Sequence, residues 1–207
     1  MQNAEMRHKK MTNNNAECRN VDKKRIIVGI SGASGIQLGV AILQVLRDRP
    51  EWETHLVMTS GAEVTLGFET DKSVDAVKAM ADVVHPIDNL AASISSGTFK
   101  TEGMIIAPCS MKTAAGIAHG YSENLLLRAA DVIIKEHRRL LLIPRESPLS
   151  PIHLKNLLTL AELGAFILPP VPAFYQKPTD INDVVDHITG RALGYFGIET
   201  DLIRPWG

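Results

Sequence analysis

From Arg25 onward, apolar positions fall into short unbroken runs separated by longer amphipathic stretches. Arg25-Ile26-Ile27-Val28-Gly29-Ile30-Ser31 is β-branched and ends in small residues, as a strand buried on both faces does. Glu53 to Thr59, Gly103 to Ala107, Leu140 to Ile143 and Ala165 to Leu168 are runs of the same kind. Helical spacing covers Ile36 to Arg49, closed by Pro50, and then Ala62 to Phe68, Val74 to Ala81, Leu125 to Glu136, Ile152 to Leu163 and Ile181 to Phe196. Strands that alternate with helices need crossover connections, and handedness and burial then give a parallel sheet covered on both faces. The pattern predicts a doubly wound α/β fold of the Rossmann-like kind. No repeat or linker interrupts it, so residues 25–207 form one domain. Asn89 to Thr101 fits neither period and reads as a mobile loop beside a ligand, with Ala91-Ala92-Ser93-Ile94-Ser95-Ser96-Gly97 at its centre. Residues 1–24 have no apolar period and carry the tract Asn13-Asn14-Asn15; they are expected to be a disordered polar tail, and Met11 offers a second possible start.

Composition narrows the function classes. At 207 residues the chain can bury one sizeable core but not two. Twenty-two Lys and Arg against 23 Asp and Glu leave a net charge of −1, so no global field draws the chain to nucleic acid or to an anionic membrane. Apolar runs such as Leu140 to Pro144 are far short of the roughly 20 residues that span a bilayer, and the N-terminus is too polar for a signal peptide. A cytoplasmic protein is expected. Cys18 and Cys109 cannot build a disulfide framework, and no Cys or His pair has metal-ligand spacing, so no metal is expected.

The chemistry clusters at the ends of the predicted strands, where ligands of open α/β sheets sit. Gly29-Ile30-Ser31-Gly32-Ala33-Ser34-Gly35 follows the first strand, and its small residues let the backbone approach a phosphate or flavin while the next helix offers N–H donors. This spacing is not G-x-G-x-x-G, and the second strand ends in Val57-Met58-Thr59-Ser60, without the acid that holds an NAD ribose. A tight turn without ligand explains the glycines equally well. It explains Ser31, Ser34, Thr59 and Ser60 less well, which favours a mononucleotide. Pro108-Cys109-Ser110-Met111-Lys112-Thr113 ends the third run with Ser110 as helix cap or ligand contact, and Cys109 reads as a small buried hydrophobe. Arg145 and Glu146 follow a buried strand, where a charged pair requires a ligand or partner; Arg138 and Arg139 read as a solvated helix face. Pro169-Pro170-Val171-Pro172-Ala173-Phe174-Tyr175 is either core and turn or one wall of a pocket. Each of the seven histidines reads as a surface or satisfied polar residue.

Gly29 to Gly35, Glu69-Thr70-Asp71, Pro108-Cys109-Ser110, Arg128-Ala129-Ala130-Asp131-Val132, Lys135-Glu136, Pro144-Arg145-Glu146 and Pro172-Ala173-Phe174-Tyr175 stand in the order found in UbiX-type flavin prenyltransferases, the UbiX/Pad-like flavoproteins. The chain resembles that family from Arg25 to its end. The resemblance implies a flavodoxin-like, metal-independent transferase that joins reduced FMN, through N5 and then C6, to dimethylallyl monophosphate. Its product, prenylated FMN (prFMN), would serve UbiD-type decarboxylases, and the enzyme would form a homo-oligomer, commonly a dodecamer. Matched residue by residue, Gly32, Ala33, Ser34, Thr59, Ser110, Met111, Lys112, Thr113 and Arg145 would contact FMN. Ser96, Arg128, Lys135, Tyr175 and Arg191 would hold the prenyl phosphate, and Glu146, Glu69 and Ser34 would act at the reacting centre. Two departures are Thr59, where members often have Ser, and the C-terminal Arg204-Pro205-Trp206, where they often end Arg-Trp. A single phosphate leaving group suits a few cations, and no Asp-rich magnesium motif for a diphosphate is present. Two further readings are an FMN-dependent oxidative decarboxylase of peptidyl cysteine and a non-catalytic flavin-carrier subunit of a decarboxylase.

Overall fold

The computed structural model describes residues 23–203; the expected tail, apart from Lys23 and Lys24, and the Arg204-Pro205-Trp206 end lie outside them. Six parallel strands form one sheet in the order β3-β2-β1-β4-β5-β6. They are β1 (Lys24–Ile30), β2 (Trp52–Met58), β3 (Val83–His85), β4 (Gly103–Cys109), β5 (Arg139–Pro144) and β6 (Phe166–Ile167). The helices are α1 (Ile36–Arg47), α2 (Ser60–Glu69), α3 (Val74–Lys78), α4 (Met111–Ala118), α5 (Leu125–Lys135), α6 (Pro151–Glu162) and α7 (Ile181–Gly194). None of the described helices is long and apolar enough to cross a membrane.

The strands read as continuous apolar runs because both faces are covered. In β1, Ile26, Val28 and Ile30 enter one core with α1, α2, α3 and α7. Ile27 enters the other, with α4, α5 and α6. β4 and β5 divide the same way: Ile105, Ala107, Leu141 and Ile143 face the first core, and Met104, Ile106, Leu140 and Leu142 the second. Lys135 therefore sits on a helix of one face and Arg191 on a helix of the other.

The expected strands and helices are present with ends shifted by a few residues, and two elements come in addition. β3 is an edge strand of only three residues. α4 extends the first turn expected after Ser110 to eight residues. The Asn89 to Thr101 stretch departs from a mobile loop. It contains a 3-10 turn at Ser93–Ser95, Ile94 is buried in the second core, and the Arg138 guanidinium donates to the Phe99 carbonyl at 2.7 Å and the Gly97 carbonyl at 2.6 Å. Arg138 is accordingly a tie between segments, not part of a solvated face.

Strand order reverses between β1 and β4, so the loops after these strands diverge and leave a crevice at their carboxyl ends. Close backbone approach shapes it. A Cβ on Gly32 would lie 2.8 Å from the Gly61 carbonyl carbon, and one on Gly39 would lie 2.3 Å from the Ala107 oxygen. The glycines seat the β1 loop on the start of α2 and press α1 onto β4.

Candidate functional site

A cleft of about 380 Å³ opens at the switch point, lined by Gly32, Thr59, Ser60, Gly61, Ile87, Ser110, Lys112, Thr113, Asn124 and Leu127. That volume is within the range of small-ligand sites. Gly32, Thr59, Ser60, Ser110, Lys112 and Thr113 were legible in the sequence; Gly61, Ile87, Asn124 and Leu127 were not singled out for it.

Helix starts converge on this cleft, each capped by a side chain from the sequence position expected of a cap. Thr59 Oγ1 accepts from the Ala62 N–H at 3.1 Å. Ser110 Oγ accepts from the Thr113 N–H at 3.2 Å and donates to Thr113 Oγ1 at 3.0 Å. Asn124 Oδ1 accepts from the Leu127 N–H at 3.0 Å, and the Ile87 carbonyl accepts from the Leu125 N–H at 2.8 Å. Each cap satisfies a donor of the first turn, but the N–H groups of Ser60, Gly61, Met111 and Lys112 have no carbonyl four residues back within their helices. Together with the helix dipoles and the Lys112 ammonium they favour an anion, while Ile87 and Leu127 offer apolar walls. A phosphate-bearing aromatic such as a flavin mononucleotide fits that division. The Met111 side chain belongs to the second core, so only its backbone faces this role.

The first helix differs. The Glu69 carboxylate, from the end of α2, accepts from the Gly35 N–H at 2.9 Å and the Ile36 N–H at 3.0 Å through Oε2. These are the donors expected to greet a ligand at the glycine loop, and they are already satisfied. Burial would raise the Glu69 carboxyl, but the Ser34 hydroxyl, the two backbone donors and the charge of Arg145 outweigh it and hold it below the usual carboxylate range. Ser31 is likewise structural. It is buried, its hydroxyl donates to the Pro108 carbonyl at 2.9 Å and accepts from the Ser110 N–H at 2.8 Å, tying the two loops together. Its presence does not argue for a ligand. Ala33 is buried beside it.

Arg145 lies on the same rim, its N–H bonded to the Cys109 carbonyl at 3.1 Å. Arg145 and Glu146 are both exposed, so burial does not force them to find a partner. Glu146 accepts from the Ser147 N–H at 3.0 Å. Cys109 is fully buried, which pushes its thiol up to about 12 and leaves it inert as a nucleophile.

The residues expected to clamp the prenyl phosphate do not meet within one chain. Lys135 ends α5 just before β5 begins, so it lies at the amino ends of the strands, away from the cleft. Its ammonium pairs with Glu136 at 2.7 Å, beside Gly97 and the exposed Ser96. Arg128 is seven residues back on the same face of α5 and pairs with Asp131 at 2.5 Å. Tyr175 and Arg191 are on the other side of the sheet. The Tyr175 ring stands edge-on to His187 at 6.5 Å, and Arg191 is close enough for its charge, after burial, to help lower the His187 imidazole. At half exposure, Tyr175 is not a core residue.

Residues 14–193 match the family model described as Flavoprotein. The flavin prenyltransferase UbiX of Escherichia coli K12 is 54% identical over 185 residues, covering 88% of this chain and 98% of that protein. A dodecameric FMN-dependent UbiX-like decarboxylase from Escherichia coli O157:H7 superposes with a TM-score of 0.87 at 51% identity, over 88% of this chain and 99% of its own. AnUbiX (PadA1), solved with FMN and dimethylallyl pyrophosphate, gives a TM-score of 0.87 at 49% identity over 89% and 98%. The peptidyl-cysteine decarboxylase EpiD shares the fold alone, with a TM-score of 0.56 and 15% identity over 72% of this chain and 87% of its own.

Proposed function

The chain belongs to the UbiX family of flavin prenyltransferases, and from that premise we propose that it joins reduced FMN to a dimethylallyl phosphate to give prFMN. Identity of 54% along almost the whole of the E. coli UbiX enzyme carries the reading, and it sets prenyl transfer above peptidyl-cysteine decarboxylation, for which only the fold is shared. The cleft supports it through its apolar walls, its donors without intrahelical acceptors and Lys112.

In this reading Gly32, Ala33, Ser34, Thr59, Arg145 and the Ser110 to Thr113 turn hold the flavin. The Glu146 carboxylate, open to solvent at the rim, moves a proton during the chemistry, and Glu69 holds the glycine loop and the start of α1 in place. A bound flavin supplies the nucleophilic ring atoms; the chain supplies orientation, an anion site and proton transfer. Ser96, Arg128 and Lys135 from one copy and Tyr175 and Arg191 from another hold the prenyl phosphate, within a homo-oligomer that we take to be a dodecamer like the solved relative from E. coli O157:H7. The enzyme works in the cytoplasm without a metal and passes prFMN to a UbiD-type decarboxylase.

Anaerobic mixing of the protein with reduced FMN and dimethylallyl monophosphate, in parallel with the diphosphate, followed by mass spectrometry of the extracted flavin, tests the reading. A flavin enlarged by one prenyl unit is expected with the monophosphate. Unchanged FMN with both donors would leave a flavin carrier.

A further inference from the structure

A chain of hydrogen-bonded polar side chains, part-buried except for the buried His55, runs along the edge of the sheet, outside the cleft. His55 of β2 is 3% exposed. Its Nε2 lies 2.8 Å from Glu53 Oε1, which also accepts from Arg25 Nε at 2.9 Å. Its Nδ1 lies 2.9 Å from His85 Nε2, with the two ring planes 14° from parallel. Phe99 closes the network, edge-on to His55 at 5.0 Å with the Arg25 guanidinium 5.1 Å from its centroid.

Counting protons shows what this arrangement tolerates. With Nε2–H given to Glu53, a neutral His55 accepts on Nδ1, and His85 donates from Nε2. One added proton is accommodated, because His55 can then donate from both nitrogens while His85 accepts. A second places N–H against N–H across 2.9 Å and breaks the bond. Glu53 is held below the usual carboxylate range, first by its bond from His55 and further by Arg25, against burial, so it stays anionic and keeps orienting His55. Burial first, then the charge of His55, lowers the His85 imidazole. A group lowered on folding stabilises above its ordinary range, and that contribution disappears as pH falls through the lowered value. The other charges around the pair are Arg138, bonded to the Phe99 carbonyl, Asp82 with Lys23 before β3, and Glu63, Lys78 and Asp88, which line the groove containing His85.

His85 ends β3, which pairs with β2 alone, and Ile87 follows two residues later as a wall of the cleft whose carbonyl holds the first turn of α5. We propose that the His55–His85 bond is an acid-released latch that positions the Ile87 wall of the cleft. The pair touches no ligand itself; it acts through β3 and Ile87. The link to flavin rests on the function proposed above, whereas the latch does not.

Two measurements test it on the full-length protein with His85→Gln, whose amide can donate to His55 but cannot take up the second proton. The first is amide exchange over residues 83–90 without flavin, at about pH 7.5 and about pH 5, corrected for intrinsic rates. The wild type should open about tenfold more at the lower pH, and His85→Gln should open equally at both. Equal opening of the wild type at the two values overturns the latch even if the variant does not fold. The second is FMN affinity at the same pH values; comparing the two proteins cancels titration of the FMN phosphate. Wild-type affinity should fall about tenfold further than that of His85→Gln. An equal fall in both overturns the connection to Ile87. Failure of the wild type to bind FMN at about pH 7.5 overturns the flavin reading, and the exchange arm still decides the latch.

Discussion

Two carboxylates beyond the carboxyl ends of β1 and β5 have different surroundings, and the same substitution should affect them differently. Gly35, at φ +94°, has no side chain with which to cap α1, so the cap comes from Glu69, 34 residues away. Because the folded Glu69 carboxyl is lowered, its stabilisation is complete above the ordinary glutamate range near about 4.3 and is lost as pH falls through the lowered value. Glu69→Gln should lower stability by about 1 kcal/mol near neutrality, the usual worth of a cap, and by less once the wild-type acid is protonated. Among the described residues the Glu146 carboxylate hydrogen-bonds to the neighbouring Ser147 N–H alone, so Glu146→Gln should leave the melting curve and FMN binding unchanged while slowing prenyl transfer by about 10²- to 10⁴-fold. Melting curves at two pH values and single-turnover assays read both. A Glu69→Gln loss that is the same in acid as at neutrality would remove the cap, and wild-type turnover in Glu146→Gln would remove the proton-transfer role.

Connections between elements set which parts of the sheet can move. The turn from α5 into β5 places Arg138 so that its two terminal nitrogens hold the Gly97 and Phe99 carbonyls, and Phe99 packs in turn on His55 and Arg25. Arg138→Ala should cost about 1–3 kcal/mol and raise amide exchange over residues 93–99, and Arg138→Lys should recover only part, since an ammonium lacks the planar fork. Unchanged exchange in Arg138→Ala would mean that Ile94 alone anchors the segment. The same residues explain what was legible in the sequence. β1, β4 and β5 were readable because burial on both faces leaves unbroken apolar runs, and α1 was readable from its period and Pro50. β3 was not, since three half-exposed residues at an edge carry neither alternation nor an apolar run. Ser110 was readable as a cap because its partner is three residues away. Arg138 and Glu69 were not, because their partners are backbone groups some 30 to 40 residues distant and no side-chain pattern marks them.

The sheet itself divides the residues proposed to hold the prenyl phosphate. α5, with Arg128 and Lys135, packs in the core on one face, and α7, with Arg191, in the core on the other. A six-stranded sheet closed by two cores cannot bring these helices to one phosphate, so a site that uses both must draw them from different copies. Closed symmetry supplies that arrangement, because every copy offers both surfaces and each interface repeats. Lys135→Ala and Arg191→Ala should each raise the Michaelis constant for the prenyl phosphate by about ten- to a hundredfold, the worth of one charge-assisted hydrogen bond to phosphate. Their FMN affinity should stay at the wild-type level. Assembling the two variants together at equal amounts separates the geometries. If each site takes Lys135 from one copy and Arg191 from another, about a quarter of the sites in the mixed oligomer carry both residues and wild-type-like turnover reappears at that fraction. If both came from the same copy, no mixed site would be intact and activity would stay at the level of the separate variants. Light scattering on the mixture establishes that the two chains have assembled, so a normal oligomer without recovered turnover would rule out a clamp shared between copies.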